Sequence, residues 1–274
     1  VTRASLRGEP VAAVLFDYGL TLVTYTRPDA SLHRAYSRIA TLLPPRAGGR
    51  PWDPDELLDL VHDRVDARVA EHEGSGTLEE LDIYAAHRAA YADLGLSLSA
   101  DTLDTAMRLE QEAWWQGMRV APDTVATLVV LRRAGLRLGI CSNAPYRPAS
   151  MRDQLAHVGL LPLVDAAVFS GEVGWRKPSP VIFSAALAAL GTSAATTVMI
   201  GDRLHEDIDG AHAAGLRAIR LREHHDDLDP GQRADAVLDR LGDLPRLLGV
   251  AASPQSHVAR TKSRWMERNS RRSL

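Results

Sequence analysis

The 274-residue chain is 45% hydrophobic and 24% charged with a formal charge of −3, which excludes collagen-like, low-complexity and disulfide-framed classes. Its one cysteine, Cys141, has no partner for an internal bridge, and no apolar run approaches the roughly 18 residues that a membrane span needs. Val1–Pro10 holds no leader-like apolar stretch, so a cytoplasmic protein without membrane contact is expected.

The first element is Val11–Phe16, VAAVLF, a short continuous apolar run closed by Asp17, which reads as a buried strand of a parallel sheet. From about Asp29 to Gly117 the spacing turns helical: Leu32, Tyr36, Ile39 and Leu43, then Leu57, Leu60, Val61, Val65 and Val69, then Leu81 and Tyr84. Breakers in Pro44–Pro54 and Gly74–Thr77 divide this stretch into three to five helices. After Pro122 helix and strand alternate. Helices are expected at Asp123–Arg133, Ser150–Val158, Pro180–Leu190 and Glu206–Ala214, and strands at Leu136–Cys141, Ala166–Phe169, Thr197–Ile200 and Ala218–Leu221. The pattern predicts an α/β fold, a doubly wound parallel sheet interrupted once by a helical insertion. The expected division is a core of residues 11–24 and 120–250, an insertion of 25–119 and a tail of 253–274.

That tail is basic: between Gln255 and Leu274, Arg260, Lys262, Arg264, Arg268, Arg271 and Arg272 stand against Glu267 alone. It reads as a flexible, solvated end able to touch an acidic partner, and nucleic acid is not expected. Lysine occurs only at Lys177 and Lys262, an arginine bias that suits a GC-rich bacterial genome and makes a lysine inside a motif informative.

In doubly wound sheets the ligand crevice lies at the carboxyl ends of the strands. Four separated segments reach that rim: Asp17–Thr21, Ser142 with Asn143, Gly174–Pro178, and Gly201 with Asp202 and the nearby Asp207. Asp17 and Asp202 suit Mg²⁺, a hard cation that takes oxygen ligands and shares its shell with phosphate. Ser142 and Lys177 suit phosphoryl oxygens and their charge, and Asp17 suits a nucleophile. Singly, each has a plain structural explanation: Asp17 caps a turn, Ser142 and Asn143 are turn residues, Lys177 is a solvated charge, and Asp202 and Asp207 favour a helix start. Their joint order and spacing decide for chemistry.

Asp17–Thr21, ICSNA (Ile140–Ala144), GWRKPSPVIF (Gly174–Phe183) and GDRLHEDIDGA (Gly201–Ala211) resemble, in order, the four motifs of the haloacid dehalogenase superfamily of aspartate-nucleophile hydrolases. The resemblance covers about Val11–Leu22 and Pro122–Leu221, with the insertion matching the helical cap of the first subfamily. It implies Asp17 as nucleophile, Ser142 and Lys177 as its catalytic partners, and Thr21 and Asn143 as substrate-binding residues. It further implies a Mg²⁺ site of Asp17, the Gly19 backbone carbonyl, Asp202 and Asp207, and a small phosphorylated substrate hydrolysed through an aspartyl phosphate.

One position departs from that pattern. Phosphatases of the superfamily carry a second aspartate two residues after the nucleophile as general acid and base, where this chain has Gly19. Loss of such a group costs about 10² to 10⁴ in rate for a poor leaving group. The dehalogenase branch is disfavoured because Tyr18 stands one residue too early and the metal motif is intact. The phosphonoacetaldehyde hydrolase branch needs a cap lysine, and none occurs between Asp29 and Gly117. Two readings remain: a phosphohydrolase for good leaving groups, or one drawing its proton from substrate, metal-bound water, His205 or Tyr25, and a catalytically degenerate module that binds a ligand or partner. Trp114 and Trp115 are expected to anchor the hinge of the cap. Arg27 and Arg119 are candidates for meeting an anionic substrate. His224, His225, Asp226, Asp227 and Asp229 read as a solvated turn and Cys141 as core.

Overall fold

Both faces of the central sheet are covered, which is why its strands read as unbroken apolar runs rather than alternating ones. The computed structural model describes residues 4–224 and 233–250. The basic tail and His225–Asp229 lie outside those residues.

The chain opens on an antiparallel pair, β1 (Ser5–Leu6) and β2 (Glu9–Pro10), and enters the main sheet at β3 (Ala13–Phe16). From β4 (Val23–Tyr25) it leaves for α1 (Asp29–Leu42), α2 (Pro54–Leu57), α3 (Asp63–Gly74), α4 (Ile83–Asp93) and α5 (Ala100–Trp114). A π-helical turn, Leu58–His62, joins α2 to α3. The chain returns through β5 (Met118–Val120), which pairs antiparallel with β4 from Val23 against Val120 to Tyr25 against Met118. Thus two short strands, absent from the expected elements, form the neck of the insertion.

Alternation follows with α6 (Pro122–Arg133), β6 (Arg137–Ser142), α7 (Pro148–His157), β7 (Ala166–Phe169), the short α8 (Ser170–Val173), α9 (Pro180–Leu190) and β8 (Thr197–Gly201). The expected helix at Glu206–Ala214 is instead a π-helical turn, Leu204–Asp209, continued by α10 (Gly210–Ala213). Then come β9 (Arg217–Leu221), β10 (Ala236–Leu238) and α11 (Leu244–Leu247).

The sheet order is β10-β9-β8-β3-β6-β7, with every neighbouring pair parallel. Alternate residues of each strand feed opposite layers. Val14, Phe16, Leu138, Ile140 and Ile200 enter one apolar cluster and Ala13, Leu15, Cys141 and Met199 the other. Cys141 is core as expected, and burial pushes its thiol up to about 12, which leaves it inert.

The insertion closes over its own apolar cluster, in which Leu32, Tyr36 and Ile39 of α1 meet Leu103, Met107 and Leu109 of α5. Capping explains where its helices begin. Asp53 accepts from the backbone N–H of Asp55 and Glu56, Asp82 from Ala85, and Ser99 from Thr102. No helix among the described residues is long and apolar enough to cross a membrane.

Candidate active site

β3 lies between β6 and β8, with Phe16 opposite Ile140 on one side and Ile200 on the other. At a strand spacing of about 4.8 Å, the residues just beyond these pairs fall on one rim. There Asp17, Ser142 and Asp202 meet, at the place where successive strands turn to opposite sides of the first one. Asp17 is 8%, Asp202 2% and Asp207 1% exposed, and one carboxylate oxygen of each lies within 4.8 Å of the others.

Ser142 Oγ and Lys177 Nζ each donate to Asp17 Oδ1 at 2.8 Å, and Lys177 Nζ donates also to Asp207 Oδ1 at 2.5 Å. Burial opposes charge on Lys177, yet Asp17 and Asp207 outweigh it and hold the ammonium above its ordinary range. At Asp207 burial is the largest influence and pushes the carboxyl up to about 6 against the pull of Lys177. Three buried carboxylates therefore converge and two of them share one ammonium, an all-oxygen donor set that fits a hard divalent cation. Among the described residues this is the sole acidic trio of such closeness.

The local backbone is shaped for this meeting. A Cβ on Gly201 would lie 2.1 Å from Asp207 Cγ, so only glycine lets the π-helical turn set Asp207 against the end of β8. Leu20 has φ 60°, a left-handed conformation costing about 1–3 kcal/mol for a branched side chain. It is held by its N–H bond to Val23 O at 2.7 Å and the neighbouring Leu22 N–H bond to Tyr18 O at 2.9 Å. Thr21 Oγ1, buried on the same turn, has no hydrogen-bond partner. Asn143 is committed elsewhere: its Nδ2 donates to Lys177 O at 3.1 Å and its Oδ1 accepts from Lys177 N–H at 2.6 Å. It therefore holds the lysine loop to the end of β6.

Beside this cluster a cavity of about 440 Å³ runs between the sheet and the insertion. Gly19, Ser142 and Asn143 line its floor, and Asp66 and Glu73 of α3 with Gln111 and Trp114 of α5 line its roof. Ion pairs tie roof to floor. Arg147 is bidentate to Asp104 at 2.7 Å, and Arg176 reaches Glu73 at 3.2 Å. A second concavity of about 810 Å³, between α6 and the Arg240–Val250 segment, contains none of the candidate residues.

Several sequence expectations change here. Trp115 stacks on His157 at 4.9 Å, whereas Trp114, expected to anchor beside it, lines the cavity and meets Tyr25 edge-on at 6.5 Å. Arg27 turns away to Asp63 at 2.7 Å and Asp29 at 2.9 Å, and Arg119 is exposed with its guanidinium on the Met118 and Gln116 carbonyls. Neither lines the cavity, because neighbouring acids and carbonyls capture both. His205 is exposed beside Asp209 at 3.8 Å, while Tyr25 reaches the site: its Oη would lie 3.0 Å from a Cβ on Gly19. Tyr18 is buried edge-on against Phe169 at 6.2 Å.

Sequence reasoning missed the roof carboxylates, although Asp66, Val69, Ala70 and Glu73 carry the i, i+3, i+4, i+7 spacing of one helix face. It also missed a buried ionic cluster inside the insertion. Glu110 there accepts from Tyr36 Oη at 2.5 Å and contacts His62 Nδ1 at 3.2 Å and His87 Nε2 at 3.5 Å.

Residues 11–215 match the model of the haloacid dehalogenase-like hydrolase family. A glyceraldehyde 3-phosphate phosphatase of Methanopyrus kandleri is 35% identical over 128 residues, 46% of this chain and 54% of that protein. A ribulose-1,5-bisphosphate 5-phosphatase of Halopiger xanaduensis is 28% identical over 248 residues, 86% of this chain and 98% of its own length. The crystal structure of a phosphatase from Thermococcus onnurineus superposes with a TM-score of 0.58 at 26% identity, covering 89% of this chain and all of that one. Over several other curated relatives the match spans about half of their length.

Proposed function

Because this chain belongs to the haloacid dehalogenase-like hydrolase family, we propose that it is a Mg²⁺-dependent phosphohydrolase of small phosphorylated compounds, with Asp17 as nucleophile. The observation that carries this reading is the double anchoring of Asp17 Oδ1 by Ser142 and Lys177 at the mouth of the cavity. Those bonds fix the carboxylate in rotation, and Oδ2 takes neither of them. Oδ2 attacks phosphorus, the bond to the leaving oxygen breaks, and an aspartyl phosphate forms, which water then hydrolyses. Lys177 and Ser142 stand ready to donate to the phosphoryl oxygens as charge spreads over them, and Thr21 Oγ1 is a further buried hydroxyl without a partner. Asp17, Asp202, Asp207 and the Gly19 carbonyl are the atoms that would hold Mg²⁺, which when bound neutralises phosphate charge.

The leaving group must part without help from residue 19. The reading therefore favours good leaving groups such as acyl and aryl phosphates, and the phosphatase names of the relatives support phosphate over halide as substrate. The test is hydrolysis of acetyl phosphate and p-nitrophenyl phosphate with and without Mg²⁺, using Asp17→Asn as the blank. Metal-dependent turnover lost in the blank, faster for acetyl phosphate, is expected. A native chain that is inactive while Gly19→Asp is active would instead establish a binding module on an intact scaffold. Gly19→Asp is admissible because Tyr25, 52% exposed, can yield the few tenths of an ångström that the new Cβ needs.

A further inference from the structure

Resting on the phosphohydrolase reading above, we propose that the substrate is a phosphate monoester whose leaving group has an aromatic or apolar body bearing an ammonium group. The site rejects leaving groups that carry a second anion. The cavity beside Asp17 provides the body's surroundings: Tyr25 and Trp114 stand edge to face, and Tyr146, Met118 and Met151 complete an aromatic and thioether wall. Such faces welcome both a flat apolar ring and a cation.

The acidic residues lining the cavity are Asp66 and Glu73, and no arginine or lysine lines it. Asp66 meets His62 Nε2 through Oδ2 at 3.4 Å, and Glu73 meets Arg176 Nη2 through Oε1 at 3.2 Å, so each engages its neighbour through one oxygen. Gln111 Oε1, buried in the same roof, has no hydrogen-bond partner. The roof thus offers two carboxylates and an amide oxygen as acceptors. The two arginines that sequence alone suggested for an anionic substrate, Arg27 and Arg119, are turned elsewhere. A carboxylate or second phosphate placed here would face Asp66 and Glu73 with no lysine or arginine on the cavity wall, whereas an ammonium finds carboxylate, amide oxygen and ring faces together.

Three esters with nearly the same phenolic leaving group separate this from simple reactivity: the O-phosphates of tyramine, 4-ethylphenol and 3-(4-hydroxyphenyl)propionate. The expected order of kcat/KM is ammonium, then neutral, then carboxylate, with about tenfold or more between the first and last. Asp66→Asn is expected to narrow the ammonium-to-neutral ratio. The same three esters titrated calorimetrically into the Asp17→Asn chain should give the same order of affinity, so the proposal is decided even where turnover is absent. Equal or reversed order in both measurements, or a preference for phosphoglycolate over tyramine phosphate, overturns it. Loss of all Asp17-dependent hydrolysis with the binding order intact would instead overturn the phosphohydrolase reading alone.

Discussion

Two of the buried ionic clusters among the described residues are built to opposite ends. At the sheet rim, three carboxylates converge beside an open cavity and two of them share one ammonium. In the insertion, one carboxylate, Glu110, is enclosed by two imidazoles and a phenol. Burial alone would raise the Glu110 carboxyl, yet His87 and His62 outweigh it and hold it well below the ordinary range. The inner cluster matches its carboxylate with imidazoles, whereas the rim cluster gathers three buried carboxylates whose oxygens a bound cation would share. Convergence of like charges beside a cavity is what separates the rim from a structural polar core.

The sharpest way to break this comparison is to remove one carboxylate from each cluster. Asp17→Asn should lower turnover of acetyl phosphate by about 10⁴ to 10⁶, the range for loss of a nucleophile. Its melting temperature should hold or rise, because one of three crowded like charges is gone. Glu110→Gln should do the reverse, costing about 3–5 kcal/mol of stability in a urea titration by removing the carboxylate that both buried imidazoles share. A nucleophile variant that unfolds, or a Glu110 variant as stable as the parent, would erase the distinction.

The two clusters also differed in how far the sequence revealed them. The rim was legible because each of its residues sits at a fixed offset from a short apolar run: Asp17 directly after β3, Ser142 closing β6, Asp202 directly after β8. The parallel order of those strands then converges them without further information. Glu110, His62 and His87 come from α5, the π-helical turn and α4, and helix packing, unlike strand pairing, leaves no local register from which such a meeting can be read. The roof of the cavity was hidden for the same reason, since whether Asp66 or Trp114 faces the sheet depends on the neck formed by β4 and β5. Those three-residue strands are too short to stand out as periodic segments. Asn143 was placed at the rim but not in its role, because its bonds to the Lys177 backbone depend on a loop conformation that spacing does not encode.

A third test supplies the missing charge. If the rim cluster holds Mg²⁺, the ion at about one hundred times its dissociation constant should stabilise the chain by about 2.7 kcal/mol. The gain should vanish in Asp202→Asn and persist in His87→Gln, whose substitution lies in the other cluster. A Mg²⁺ response that follows His87 and ignores Asp202 would place the ion away from the rim.

The smallest effect expected is a pH dependence that belongs to the inner cluster. Burial opposes charge on His62 and His87, but Glu110 prevails and both imidazoles lie above their ordinary value of 6.5. A raised folded value means that the imidazolium contribution to stability is complete below 6.5 and is lost as pH climbs through the raised values. Glu110 acts with the opposite sign: its contribution is complete above its ordinary 4.5 and is lost only as pH falls through its depressed value. The two windows overlap between 4.5 and 6.5, where the cluster contributes most, and stability declines on the alkaline side first. Melting curves at pH 6 and pH 8.5, recorded at constant ionic strength without Mg²⁺, should therefore show a lower midpoint at the higher pH. The decline should be shallower in His87→Gln, because one of the two titrating partners is absent. A parent and variant with parallel pH profiles would mean that Glu110 is held by hydrogen bonds alone and that the inner cluster is not ionic at neutral pH.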